Sequence, residues 1–176
     1  MSAFRPKAAD FEERVRASFG RQPFMHTIGA SLVRVAPGEI EIAMPVQPQL
    51  CQQHGFIHAG VVSTLGDTAC GYAAFSLMPA GAGVLTTEFK VNLLAPAAGE
   101  RLVATGRVVK PGRTLTVAQA EIHAETNDER RLVALLTATL MAIEGRDEVR
   151  DEGACFETAL RASSEGGGCA SIHAPS

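Results

Sequence analysis

The chain has 176 residues with 46% hydrophobic and 20% charged side chains, enough for one globular domain with its own core. The net charge is -3 and the basic residues form no stripe that would follow a phosphate backbone, so the sequence argues against nucleic acid as a partner. The sequence shows neither a signal-like segment nor an unbroken membrane-spanning run, so we expect a soluble, cytoplasmic protein with no membrane partner. The four cysteines lack paired spacing, so we expect free thiols.

The hydrophobic patterns predict a short helix, a hairpin, a long helix and four further strands. Asp10 with Glu13 is typical of a capping box and predicts a short helix that ends at Gly20. The long apolar helix, residues 59–77, contains glycines such as Gly66, which indicate that another element packs closely against it. The predicted strands are residues 30–35, 39–46, 84–94, 101–109, 114–125 and 132–143. Short links predict antiparallel pairing of successive strands, and hence an α+β fold in which an antiparallel sheet wraps around one long central helix.

Composition divides the chain into three parts. Residues 1–24 are expected to form an N-terminal helical extension, and residues 25–144 the main domain. Residues 145–176 are rich in Gly, Ser and acidic residues and include three consecutive glycines. That composition predicts a flexible acidic tail.

A single carboxylate interrupts the most apolar part of the chain. Between residues 42 and 87, Asp67 is the only Asp, Glu, Lys or Arg among 46 residues. It falls in the middle of the predicted long helix, away from the cap positions that favour Asp. Because an unpaired buried carboxylate is costly, we expect either a structural hydrogen bond or a general base or nucleophile in an apolar pocket.

The segment that opens the long helix is expected to supply hydrogen-bond donors. Backbone amides at a helix N-terminus are unpaired and lie at the positive end of the helix dipole. The amides of Ala59 and Gly60 are therefore candidates to bind a carbonyl oxygen as it becomes an oxyanion. Ala59 and Asp67 are eight residues apart, about 12 Å along one helix, so they cannot flank one carbonyl within a subunit. If both act, the amide of one protomer meets the carboxylate of another across a two-fold axis.

Cysteine and histidine side chains near this segment raise a zinc alternative. Cys51, His54 and His58 lie close in sequence, and two His at i and i+4 can share a helix face. The loop character around Gly55 and the lack of a later ligand-spaced cluster disfavour it, so no metal is expected. His58 is instead expected to orient substrate or to cap the helix. Cys70 has no basic neighbour and is expected to be buried rather than nucleophilic.

A family resemblance is carried by three segments, HGFIHAGVVSTLGDTACG, GVLTTEFKVNLLAPA and GRVVKPGRTLTVAQAEI. They resemble the hotdog-fold acyl-CoA thioesterases of the phenylacetic-acid-pathway (PaaI-like) type, and the resemblance covers about residues 25–143. The family signature looks like Asn or Gln, then Gly, then His-Gly-Gly, with an acid nine residues after that His. Those places are held here by Gln52, Gly55, His58, Ala59, Gly60 and Asp67. Ala59 replaces the usual middle Gly; its amide remains, while its methyl group narrows the approach of the thioester.

The resemblance implies further site residues outside that signature. It implies a polar residue early in the strand after the helix, which helps to hold water; the aligned position is Thr86, since Thr87 would face the other side of the strand. It also implies basic residues that contact the phosphates of coenzyme A at the rim of a dimer cleft. The candidates are Lys90, Lys110 and Arg113. Candidate acyl-pocket residues are Phe56, Leu65, Tyr72 and Phe75.

The residues and the resemblance together predict an acyl-CoA thioesterase that hydrolyses an aryl- or medium-chain fatty acyl-CoA. The predicted catalytic residues are Asp67, Ala59, His58, Gln52, Gly60 and Thr86, and the predicted substrate-binding residues are Gly55, Phe56, Lys90 and Arg113. Coenzyme A is part of the substrate, so no cofactor is expected, and the expected partner is a second copy, as a homodimer or a dimer of dimers. Two alternatives are open: a non-catalytic acyl-CoA sensor, and a hydroxyacyl-thioester dehydratase, in which His58 would be as essential as Asp67.

Overall fold

The computed structural model describes residues 4–127 and 129–144, so the predicted acidic tail lies outside the described residues. The helices are α1 (Phe11–Gly20), α2 (Pro23–Thr27) and α3 (Ala59–Phe75), with a 3-10 turn at Pro48–Leu50. The strands are β1 (Ser31–Ala36), β2 (Glu39–Pro45), β3 (Gly83–Leu93), β4 (Arg101–Lys110), β5 (Leu115–Thr126) and β6 (Glu129–Ile143). Within the described part of the chain, no helix has the length and apolar character needed to cross a membrane.

The six strands form one antiparallel sheet in the order β1-β2-β4-β5-β6-β3. The predicted antiparallel architecture is therefore confirmed. The predicted pairing of β3 with β4 is wrong, because β4 is already paired on both edges, with β2 and β5. β3 instead pairs with β6, from Gly83 opposite Ile143 to Leu93 opposite Ala134, and forms an edge of the sheet.

α3 packs across the inner face of this sheet and forms the centre of the core. Its residues Val62, Leu65 and Ala69 are buried, as are the sheet residues that face them. Glycine permits the close approach: a Cβ added at Gly106 on β4 would lie 2.4 Å from the backbone C and O of Ala69. The predicted close packing on the long helix is therefore confirmed.

The N-terminal helices cover one end of α3. α1 has the predicted end at Gly20 and buries Val15 and Phe19. Asp10 stands at its N-cap, but the Asp10 side chain makes no capping hydrogen bond, so the capping-box prediction is wrong. α2 was not predicted, because a helix of five residues is too short to show a hydrophobic period.

Candidate active site

Asp67 lies half-buried in the middle of α3, on the side that faces β3. The hydroxyl Oγ1 of Thr86 donates a hydrogen bond to Asp67 Oδ1 at 2.8 Å. Burial raises the pKa of Asp67, and the hydrogen bond from Thr86 opposes that rise. Within residues 4–127 and 129–144, no cationic side chain forms an ion pair with it. The carboxylate is therefore held by a neutral donor and accepts a proton more readily than an ordinary aspartate.

A β-bulge in β3 determines which threonine faces this carboxylate. The register of β3 against β6 shifts at Thr87. Thr86, just before the shift, lies opposite Leu140, a buried residue on the helix-facing side. The Thr87 hydroxyl instead donates to the backbone O of Thr139. The structure thus directs Thr86, and not Thr87, to Asp67, as the two-residue period of a strand predicts.

A cavity of about 300 Å³ opens beside Asp67. Its walls are α3, the beginning of β3 and the N-terminal helices, and the lining residues are Ser18, Gln22, Asp67, Thr68, Gly71, Tyr72, Phe75, Gly83, Val84 and Thr86. Tyr72 and Phe75, two of the candidate acyl-pocket residues, therefore line a cavity. Leu65, another candidate, does not line this cavity, because its side chain is fully buried between α3 and the sheet. Ser18 and Gln22 were not predicted, since no local pattern connects them with a helix about 50 residues away.

The N-terminus of α3 is capped by a side chain. His58 is the N-cap residue, and its Nδ1 accepts a hydrogen bond from the Gly60 N–H at 2.9 Å. Capping was one of the two roles expected for His58. The Gly60 amide is therefore engaged within the chain. The Ala59 amide is at the surface and has no hydrogen-bond acceptor among the described residues, so it is the amide available to an incoming carbonyl oxygen.

A tight loop places Gln52 beside this helix end. The N–H of Gly55 donates to the backbone O of Gln52 at 2.9 Å, and the N–H of His54 donates to Gln52 Oε1 at 2.7 Å. Gly55 has φ +83°, a conformation that side chains rarely adopt, so its role in this chain is to form the turn. With Oε1 occupied, Gln52 retains its side-chain N–H groups to donate to a ligand.

A second, mostly apolar cavity of about 440 Å³ lies against the N-terminus of α3. Its lining residues are Gln52, Phe56, Ile57, Ala59, Val62, Leu93, Leu94, Ala95, Pro96, Ala97 and Val133. The structure thus brings Gln52, Phe56 and Ala59 together at one cavity, and Asp67 with Thr86 at the other. The two halves of the predicted site are not joined within one subunit, as the eight-residue spacing on α3 required.

The candidate phosphate-binding residues fall in two parts of the fold, since Lys110 ends β4 three residues before Arg113 and Lys90 lies on the edge strand β3. Lys90 is exposed in the middle of β3, opposite Thr137 of β6. Arg113 lies in the turn before β5, where it lines a small cavity together with Arg5 and Lys7. The structure therefore does not bring Lys90 and Arg113 together in a single subunit.

The cysteines and histidines near α3 have other contacts. Cys51 Sγ donates to the backbone O of Gln47, and the His58 ring caps α3. Over the described ranges, no three His, Cys, Asp or Glu side chains lie close enough to hold a metal ion. Cys70 is fully buried, and burial together with the nearby Asp67 raises the pKa of its thiol, as expected for an unreactive side chain.

Comparison with known proteins finds relatives that are thioesterases. The thioesterase superfamily profile matches residues 54–130. A thioesterase family protein from Silicibacter pomeroyi, known from its crystal structure, is 57% identical with a TM-score of 0.76, over 77% of this chain and 99% of that chain. The PaaI protein from the phenylacetic acid degradation operon of Escherichia coli is 25% identical with a TM-score of 0.70, over 79% and 97%. The medium/long-chain acyl-CoA thioesterase YigI of Escherichia coli is 27% identical over 68% of this chain and 84% of its own length.

Proposed function

The chain belongs to the thioesterase superfamily and is a thioester hydrolase with the hotdog fold, and we propose that it hydrolyses an aryl- or medium-chain fatty acyl-CoA to the free acid and coenzyme A. The observation that carries this proposal is the single carboxylate of Asp67 in a cavity, hydrogen-bonded by Thr86. Burial raises its pKa toward the range in which a carboxylate is an effective general base.

Asp67 can act in two ways on a bound thioester. As a general base, it removes a proton from water while the water oxygen bonds to the carbonyl carbon; the C–S bond then breaks and the thiolate of coenzyme A takes up the proton. As a nucleophile, its carboxylate oxygen bonds to the carbonyl carbon, coenzyme A leaves, and water cleaves the resulting anhydride. Acid quenching followed by mass spectrometry of the Asp67 peptide distinguishes the two, because only the nucleophilic route adds the acyl mass to that peptide.

The oxyanion donor in this proposal is the Ala59 amide of the partner subunit. Gln52, which lines the same cavity, and His58, which caps the helix end, position the carbonyl beside that amide. Thr86 holds Asp67, and with it the attacking water, at the other side of the carbonyl. Lys90 and Arg113 are the proposed contacts for the phosphates of coenzyme A, which enters as part of the substrate.

The edge strand β3 supports a dimer that joins the two half-sites. Its residues Phe89 and Leu93 are 48% and 54% exposed, large values for apolar side chains on a strand. The Asp67 cavity touches the beginning of β3 at Gly83, and the Ala59 cavity touches its end at Leu93. When two copies of β3 pair antiparallel around a two-fold axis near the middle of the strand, the beginning of each lies beside the end of the other. The carboxylate of one protomer then approaches the amide of its partner, in a homodimer or in each pair of a homotetramer.

The activity is tested with a panel of aryl- and fatty acyl-CoAs, by following release of the free thiol. We expect Asp67→Asn to lower kcat by about a hundredfold or more. Glu12→Gln, the same type of change at an exposed carboxylate of α1, is the control and should leave kcat unchanged. Acyl-CoA binding without turnover by the wild type would contradict the proposal and favour a sensor. Dehydration of a hydroxyacyl-CoA, abolished by His58→Ala as fully as by Asp67→Asn, would favour a dehydratase.

Mixing two inactive variants tests the shared site. Ala59→Pro removes the amide N–H at the first helical position, where proline is tolerated, and His58 before it already has the extended ψ of 137° that proline requires. A mixed dimer of Asp67→Asn and Ala59→Pro subunits contains one intact site, so random mixing should restore about a quarter of wild-type activity. No recovery after verified subunit exchange would show that both groups act within one subunit.

A further inference from the structure

The small cavity beside Arg113, which we call the basic cavity, lies at the C-terminal end of α3 and has a volume of about 220 Å³. Four distant segments meet there: the chain before α1, the end of α3 with the link that follows it, the turn between β4 and β5, and the end of β6. Neither Asp67 nor Ala59 lines it. The cavity is therefore separate from both halves of the proposed active site.

The charged side chains that line the basic cavity are all cationic. They are Arg5, Lys7 and Arg113. Among the described residues, no carboxylate lines this cavity or forms an ion pair with any of the three. By contrast, Arg16 and Arg101 each pair with a glutamate. Like charges around one cavity repel one another, and an anion between them removes that repulsion, so the basic cavity is suited to a negatively charged ligand.

Most of the remaining lining is apolar. Leu77 and Met78, which follow α3, are 7% and 5% exposed and belong to the core. The Phe4 ring packs directly against the turn between β1 and β2, because a Cβ added at Gly38 would lie 2.7 Å from Phe4 Cδ2. A bare inorganic anion would leave this apolar surface in contact with water, whereas a ligand with an apolar body would cover it.

The size of the basic cavity limits the ligand further. Its volume of about 220 Å³ corresponds to roughly seven molecules of liquid water at about 30 Å³ each. That space accepts a single ring with a short side chain, or an alkyl chain of about six carbons, but not a whole nucleotide or a long acyl chain. Charge, apolar lining and volume together describe a small amphipathic anion.

We infer that the basic cavity binds a small carboxylic acid, with its carboxylate between Arg5, Lys7 and Arg113 and its apolar body against Leu77 and Met78. An arginine guanidinium presents paired N–H donors that match the two oxygens of a carboxylate. The acid released by the proposed hydrolysis is of this class, although binding here requires no turnover. Ala74, which also lines the cavity, follows Asp67 by seven residues, about 10 Å along α3. The acid therefore binds at a second site, away from the reacting thioester.

Methyl NMR of the full-length protein tests this site through Met78. Of the methionines that the structure describes, Met78 alone lines the basic cavity, and the fully buried Met44 on β2 is the internal reference. Phenylacetate or hexanoate is added to protein with 13C-labelled methionine methyl groups. We expect a saturable shift of the Met78 signal, assigned with Met78→Leu, and no shift of the Met44 signal. Phenylacetamide and hexanamide lack the charge and acetate lacks the apolar body, so each should bind at least about tenfold more weakly at Met78.

The variants remove one cation at a time from the basic cavity. Arg5→Gln and Arg113→Gln should each weaken the binding of the acid by about tenfold, as expected for a lost charge-assisted hydrogen bond. Both side chains are exposed, so neither change removes a core contact, and an unchanged Met44 signal verifies the fold. Arg16→Gln, the same change on α1 outside the cavity, is the matched control and should leave the binding unchanged.

The response of Met78 and the turnover of thioesters are measured separately. A Met78 signal that does not respond to either acid, or that responds equally to acids and amides, would overturn this inference. It would also be overturned if coenzyme A alone shifted Met78 through the same arginines and displaced the acid, because the cavity would then hold the phosphates of the substrate. Turnover without a response at Met78 leaves the proposed function intact. A response at Met78 in a protein that hydrolyses no thioester overturns only the proposed function.

Discussion

Substitution of Gly106 by alanine tests the closest contact between the sheet and α3. The added Cβ would lie 2.4 Å from the backbone C and O of Ala69 and 2.7 Å from the N of Cys70. Ordinary carbon contacts are about 3.5–4.0 Å, so helix and sheet must separate by about 1 Å. Because backbone atoms cannot rotate aside, we expect the upper part of the usual overpacking cost, about 3 kcal/mol. For a chain of this length, that lowers Tm by about 6–12 °C.

The same displacement should also reduce activity. α3 carries Asp67, whose carboxylate must stay within hydrogen-bond distance of Thr86. A misplacement of about 1 Å at a reacting group commonly costs about a hundredfold in rate. We therefore expect Gly106→Ala to lower kcat as well as Tm, measured by thiol release and by calorimetry.

Gly71→Ala is the matched control for stability. A Cβ at Gly71 would meet nothing within 4 Å, although this glycine lies on the helix that Gly106 contacts. Alanine in a helix interior is favoured over glycine by up to about 1 kcal/mol, so Tm should rise by about 2–4 °C. A Gly106→Ala protein as stable as the wild type, or shifts of the same sign in both variants, would refute the close contact between β4 and α3.

Three further predictions follow from the site and the sheet edge. Burial raises the pKa of Asp67 above its value in the unfolded chain, so the native state binds more protons, and the free energy of unfolding of the wild type should fall as pH rises through that raised pKa. Asp67→Asn should lack this fall in denaturant titrations from about pH 4 to pH 8. Parallel curves for the two proteins would contradict the raised pKa. Phe89→Asp places a charge on the exposed edge strand, so it should shift the protein to monomers in analytical ultracentrifugation and abolish turnover. Full activity of a monomeric variant would exclude a shared site. Iodoacetamide should modify the half-buried Cys51 in the folded protein, and the buried Cys70 only after unfolding, as mapped by peptide mass spectrometry. Rapid labelling of Cys70 in the folded protein would contradict the burial of its thiol.

The sequence predicts those features that depend on local period and composition. The long helix begins at Ala59 as predicted, since an apolar run with helical spacing has few other solutions. Asp67 is conspicuous because the 46-residue stretch that contains it holds no other Asp, Glu, Lys or Arg. The distinction between Thr86 and Thr87 follows from the two-residue period of a strand, because the bulge in β3 begins only after Thr86.

The features that the sequence does not predict depend on contacts between distant segments. β3 pairs with β6 rather than with β4, because both edges of β4 are already occupied by other strands. The length of the link between β3 and β4 does not show which strand edges remain unpaired. Leu65 and Tyr72 belong to the same apolar helix, but only the packed sheet determines that one faces the core and the other a cavity. Ser18 and Gln22 join the cavity through Tyr72, a contact between segments about 50 residues apart.

The placement of Asp67 and Ala59 on one helix has a kinetic consequence for the proposed dimer. α3 is a continuous helix of 17 residues, so a movement along its axis carries both groups by the same amount. In the dimer these two groups serve different active sites, one in each half of the molecule. A substitution that displaces α3, such as Gly106→Ala, should therefore lower the rate constant at both sites even when only one subunit of the dimer carries it, because that one helix positions the carboxylate of the first site and the oxyanion donor of the second.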